Sequence, residues 1–166
     1  AEIIMHFLHR LLARLTLDEA QQRRVKIATA ESCTGGHIAG RLTEIPGSSA
    51  TVERGFIVYS NRAKEEMLGP KLISIADAGA VSEPVARAMA EGALEESRAN
   101  LAVAVTGVAG PGGGTLLKPV GLVHIAVARE NKPIFHQAMR FGDIGRDKVR
   151  RQTIITALEM VRKMIG

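Results

Sequence analysis

Apolar and polar positions along the chain switch between two rhythms. Residues 3–23 carry apolar side chains at helical spacing, interrupted by His6, His9, Arg10 and Arg14, which predicts an amphipathic helix with one wet face. "VKIATA" (25–30) is a short β-branched and small-residue run and reads as a buried strand. Residues 35–43 read as a helix ended by Pro46-Gly47, and "GFIVYS" (55–60) as a second strand. A short helix, "RAKEEMLG", follows and stops at Gly69-Pro70.

The second half continues the alternation and then changes it. "VSEPVARAMAEGALEES" (81–97) has apolar residues at 85, 86, 89, 90, 93 and 94, again helical, with Ser82 as N-cap and Pro84 in the first turn. "LAVAVTG" (101–107) reads as a third strand. "VGLVHIAVA" and "PIFHQAMRF" flank "RENKP" as a hairpin, and residues 145–165 close the chain as an amphipathic helix. Helical crossovers make the first three strands parallel neighbours, while the hairpin makes the later ones locally antiparallel. The expectation is one α/β domain over residues 1–166, a three-layer α/β/α sandwich around a mixed five-stranded sheet.

That topology matters for chemistry, because open α/β sheets bind ligands at the C-terminal ends of their parallel strands. Three segments converge on that edge: Glu31–Gly36, Tyr59–Lys64 and Thr106–Gly114.

Composition narrows the function classes. With 166 residues, 46% hydrophobic and 23% charged, the chain can bury a full core without disulfides or metals. One cysteine, Cys33, excludes an intrachain disulfide and fits a reducing compartment, so a cytoplasmic location is expected. The first helix is too charged to span a bilayer, and no other stretch approaches that length. The net charge of +5 invites a nucleic-acid reading, but aromatics are only 3%, which leaves little for bases to stack on. The cluster "RFGDIGRDKVRR" (140–151) suits one phosphate group better than a polyanion track.

Each converging segment has a chemical and a plain reading. In "AESCTGG", Ser32 or Thr34 is either a nucleophile beside outward-pointing backbone N–H groups or merely a helix cap, and Gly35 and Gly36 allow close approach. Cys33 has no histidine partner on the same edge and reads as a buried, inert side chain. In "YSNRAK", Lys64 held neutral by desolvation could activate a serine with Tyr59 as proton relay; the plain reading is a packed tyrosine and a solvated lysine. "TGVAGPGGGTLLKPVG" fails the P-loop and dinucleotide patterns but suits a backbone nest for an anion. Asp143, Arg146 and Lys148 are either a phosphate contact or a solvated helix terminus. No metal-ligand spacing occurs, and no cofactor is expected.

Together, "AESCTGG", "GSSATVERGFIVYSNRAK", "GAVSEPVARAMAEGA", "VTGVAGPGGGTLLKPVG" and "FGDIGRDKVRRQTIITAL" resemble the C-terminal domain of the CinA competence/damage-inducible family, in order, over roughly residues 10–163. The resemblance implies a mixed five-stranded sandwich of the anticodon-binding-domain-like type with one antiparallel strand. It also implies nicotinamide-nucleotide amidohydrolase activity, from nicotinamide mononucleotide and water to nicotinate mononucleotide and ammonia. By the same resemblance Ser32, Tyr59 and Lys64 are the catalytic set. Substrate contacts then fall to Thr34, Gly35, Gly36, Asn61, Thr106, Gly107, Gly110, Gly112, Gly113 and Arg146. The family usually reads Gly-Asp-Arg before the last helix, whereas here Ile144-Gly145 separates Asp143 from Arg146. Many members also carry an N-terminal molybdopterin-binding-like domain; a stand-alone deamidase is expected here, and a homodimer is left open. The competing class is a catalytically silent nucleotide-binding module, or an interaction domain linked to competence.

Overall fold

The computed structural model describes residues 1–69 and 78–166. Its helices are α1 (Glu2–Gln22), α2 (His37–Thr43), α3 (Asn61–Leu68), α4 (Glu83–Glu95) and α5 (Arg146–Ile165). Its strands are β1 (Ile27–Glu31), β2 (Val52–Ile57), β3 (Leu101–Gly107), β4 (Leu122–Arg129) and β5 (Phe135–Arg140). The five strands form one sheet in the order β2-β1-β3-β4-β5. β1 pairs in parallel with β2 and β3, β4 runs antiparallel to β3, and β5 antiparallel to β4. One strand, β4, is therefore reversed, and the architecture is the expected mixed α/β/α sandwich.

Strand alternation sorts the core into two unequal layers. Leu101, Val103 and Val105 of β3, with Val123, Ile125 and Val127 of β4, pack under α1, α2 and α5. The other face of the same strands carries Ala102, Ala104, Ala126 and Ala128, and meets the alanine-rich α4. Large branched side chains thus hold one helical layer, each worth about 1.5–3 kcal/mol on burial. Small ones let α4 ride close to the sheet on the other. β1 is buried along its whole length, as a central strand with both faces covered must be.

Three elements depart from the sequence reading. β2 begins at Val52 and ends at Ile57, earlier than the run 55–60. It is an edge strand, so half-buried Glu53 and exposed Arg54 are tolerated inside it and mask its apolar rhythm. α2 starts at His37 because Gly36 (φ 97°) is its N-cap. His9, expected on the wet face of α1, is fully buried against α5 with Nε2 hydrogen-bonded to the Arg151 carbonyl at 3.0 Å. His6, Arg10 and Arg14 are exposed as expected, and Ile3, Ile4 and Phe7 are exposed beside them.

The caps behave as the sequence suggests. Ser60 Oγ accepts from Ala63 N at the start of α3, and Ser82 Oγ from Val85 N at the start of α4. α3 stops at Gly69 (φ 100°), while Pro70 lies outside the described residues. Among the described residues no helix is long and apolar enough to cross a membrane.

Candidate active site

Ser32 follows β1 directly, and the sheet grips it from both sides. Its N–H donates to the Val105 carbonyl at 3.2 Å, and the Val58 N–H donates to the Glu31 carbonyl at 2.9 Å. The register of β1 with β2 and β3 therefore brings the strand ends to one edge. A cleft of about 210 Å³ opens there, lined by Ser32, Cys33, Tyr59, Asn61, Lys64, Ala80, Val81, Thr106, Gly107, Ala109 and Arg146. All three segments singled out in the sequence contribute to it. Among the described residues no acidic side chain lines it.

Lys64 sits one turn into α3 and is almost completely buried, at 2% exposure. Its Nζ donates to Ser32 Oγ at 3.0 Å and to the Tyr59 carbonyl at 3.1 Å. No carboxylate pairs with it among the described residues. Burial pushes its pKa below the ordinary ammonium value, so the unprotonated amine is favoured relative to a lysine in water. A serine hydroxyl and a buried amine at hydrogen-bond distance form a nucleophile–base pair without histidine or metal. Cys33, next along the chain, is buried, and burial raises its thiol to about 12, so it carries no thiolate.

Tyr59 does not take the place a proton relay requires. Its side chain is 61% exposed, and its hydroxyl accepts from Arg146 at 3.0 Å. Lys64 touches Ser32 directly, and Tyr59 meets the amine through its backbone carbonyl rather than its hydroxyl. Arg146, first residue of α5, also donates to the Gly110 carbonyl at 2.8 Å. The extra Ile144-Gly145 pair thus leaves its guanidinium in the cleft. Thr106 Oγ1 donates to the Ala80 carbonyl at 2.8 Å, which ties the end of β3 to the segment before α4.

The turn after Ser32 differs from expectation. The start of α2 is not free to hold an anion, because the fully buried Glu31 carboxylate occupies it. Glu31 Oε1 accepts from Thr34 Oγ1 at 2.7 Å and Ile38 N at 2.8 Å. Its Oε2 accepts from Thr29 Oγ1 at 3.1 Å and Ala39 N at 3.0 Å. Thr34 is thereby a buried structural hydroxyl, and Gly35 N–H is taken by the Ser32 carbonyl at 3.0 Å. Gly36 is needed because a Cβ there would meet Ile57 Cδ1 at 2.9 Å. None of these three residues lines the cleft. Cys33 N–H and Thr34 N–H have no oxygen acceptor among the described residues.

The glycine-rich loop divides. Gly107 lines the cleft, Gly110 supplies the carbonyl to Arg146, and Gly112 and Gly113 border a separate, larger cavity of about 760 Å³ beside Arg140 and Asp143. Among the described residues the lining of that cavity includes no serine, cysteine or lysine, whereas the smaller cleft holds Ser32 beside Lys64. Sequence reasoning missed Ala80 and Val81, and it missed Arg150, whose guanidinium binds the Cys33 and Thr34 carbonyls. Arg150 stands four residues after Arg146 on one helix, a spacing that puts both on the same face. Glu31 was visible only as a charge ending an apolar strand. Among the described residues no group of three or more histidine, cysteine or carboxylate side chains is placed to hold a metal ion.

Comparison with known proteins agrees with the fold. A family model described as the CinA C-terminal domain matches residues 9–165. A CinA-like protein of Chlorobium phaeobacteroides is 48% identical over 163 residues, covering 95% of this chain and 37% of the relative. The chain thus spans little more than a third of the length of such curated relatives. Among solved structures, the competence/damage inducible protein CihA from Agrobacterium tumefaciens superposes with a TM-score of 0.93 at 52% identity, covering 96% of each chain. A CinA superfamily protein from Klebsiella pneumoniae gives 0.86 at 31% identity, covering 97% of each. The chain belongs to the CinA C-terminal domain family.

Proposed function

We propose that this chain is a serine amidohydrolase acting on nicotinamide mononucleotide. The observation that carries the reading is the buried Lys64 amine 3.0 Å from Ser32 Oγ, unpaired with any carboxylate among the described residues. Ser32 Oγ loses its proton to Lys64 Nζ as it attacks the carboxamide carbon. The C–N bond of the tetrahedral intermediate then breaks, and Lys64 returns the proton to the departing nitrogen, which leaves as ammonia. Water attacks the resulting Ser32 ester, again deprotonated by Lys64, and releases nicotinate mononucleotide with Ser32 restored.

The oxyanion donor in this reading is the N–H of Cys33, which lines the cleft beside Ser32, since the N–H groups of Gly35, Ile38 and Ala39 are already engaged and Thr34 is fully buried away from it. Arg146 supplies the positive charge for the 5′-phosphate at the rim, held in place by Tyr59 Oη and the Gly110 carbonyl. Asn61, Thr106 and Gly107 shape the remainder of the cleft. A cleft of this volume holds the nicotinamide ring and leaves ribose and phosphate toward the opening. The reaction needs no cofactor.

Ammonia release from nicotinamide mononucleotide by the purified chain tests the reading. Steady turnover is expected. Retained nucleotide binding with no ammonia would instead identify a silent binding module.

A further inference from the structure

Arg150 lies one helical turn beyond Arg146 and is half-buried, yet pairs with no carboxylate among the described residues. Its whole hydrogen-bonding effort goes to backbone. Nε donates to the Cys33 carbonyl at 3.1 Å, and NH2 donates to the Thr34 carbonyl at 3.2 Å. Gly35 has φ +58°, and a Cβ there would stand 3.2 Å from Arg150 NH2, so the turn keeps a glycine where the guanidinium lies against it.

The two carbonyls determine where the turn's free N–H groups point. In a trans peptide the N–H points opposite to the C=O of the same unit. Holding the Cys33 carbonyl toward Arg150 turns the Thr34 N–H away from it. Holding the Thr34 carbonyl fixes the Gly35 N–H, which donates to the Ser32 carbonyl and so orients the Cys33 N–H. Glu31 fastens the far side of the turn through Thr34 Oγ1.

We propose that Arg150 is a positioning residue whose guanidinium, by gripping the Cys33 and Thr34 carbonyls, holds the turn so that the Cys33 N–H is presented as the oxyanion donor beside Ser32. The proposal rests on the reading of Ser32 as nucleophile. Arg150 touches neither substrate nor the reacting atoms; it acts through backbone that does. A lysine cannot replace it, because a single ammonium lacks the planar fork that spans two carbonyls.

The test compares wild type with Arg150→Lys and Arg150→Ala. Two readouts are used: kcat and KM for nicotinamide mononucleotide, and the rate at which a fluorophosphonate labels Ser32. The phosphonyl oxygen of that probe needs the same donor, whatever the natural substrate. Loss of one oxyanion donor costs about 10²–10³ in kcat, and a loosened donor is expected to cost about 10–100-fold with KM within about threefold. Labelling should slow in parallel, and ethylguanidine should restore part of the Arg150→Ala rate. Unchanged kcat and labelling in folded Arg150→Lys overturns the proposal, as does a loss confined to KM. A wild type that releases no ammonia but is labelled rapidly refutes the substrate while leaving Arg150 under test. A wild type that is not labelled refutes the nucleophile and the proposal together.

Discussion

Glu31→Gln isolates the group that the helix-terminus argument overlooked. The carboxylate receives two hydrogen bonds on each oxygen, and each pair contains one hydroxyl and one backbone N–H. A glutamine must turn its NH2 toward one pair. The threonine hydroxyl of that pair can rotate and accept, but the N–H of Ile38 or Ala39 cannot, and is left buried and opposed. An orphaned buried N–H costs about 1–3 kcal/mol, and the retained bonds lose their charge assistance. The sum is about 2–4 kcal/mol. With a urea m-value near 2 kcal/mol/M, the unfolding midpoint should fall by about 1–2 M at unchanged m. Far-UV circular dichroism at pH 7.5 is the assay, since the chain has no tryptophan. A midpoint within about 0.2 M of wild type would refute the assignment of Glu31 as the anchor of α2.

Burial lowers the pKa of His9 from its ordinary 6.5, opposed by the Arg151 carbonyl and reinforced by the charges of Arg41, Arg151 and His6. His37, His124 and His136 shift the same way. Below about pH 6.5 the unfolded chain therefore binds protons that the fold refuses, and stability falls as pH drops. The urea midpoint should be lower at pH 5.5 than at 7.5, and less steeply so in His9→Leu; an equal slope in that variant would remove His9 from the account. Gly92 of α4 lies against the Leu68 carbonyl at the end of α3, and a Cβ there would overlap it. Gly92→Ala gains about 1 kcal/mol of helix propensity but displaces the helix carrying Lys64, so a net loss of about 1–3 kcal/mol and slower ammonia release are expected. Calorimetry showing an equal or higher melting temperature would mean that the contact is not tight.

The fold was legible where one physical rule governed a segment. The alanine and valine run of β3, the Ser82 cap with Pro84, and the hairpin each obey local patterning, and their boundaries hold within two residues. β2 was misplaced because an edge strand needs only one buried face and can carry Glu53 and Arg54. In the site, convergence on one sheet edge followed from topology and brought Ser32, Lys64 and Thr106 into one cleft. What the sequence could not reveal was competition for donors. Whether the start of α2 serves a ligand or a side chain depends on where Glu31 turns, and β1 ends in that residue without indicating its partners. Arg150 was hidden for a similar reason, since its partners are carbonyls 116 and 117 residues away.

The central claim is that Ser32 becomes acylated with Lys64 as its base. Acid-quenched single turnover with nicotinamide mononucleotide, followed by peptide mass spectrometry, tests it directly. An acyl ester on Ser32 is expected in wild type and its near-absence in Lys64→Met, with nucleotide binding retained. Undiminished ammonia release by Ser32→Ala, or an ester formed at the wild-type rate in Lys64→Met, would contradict it.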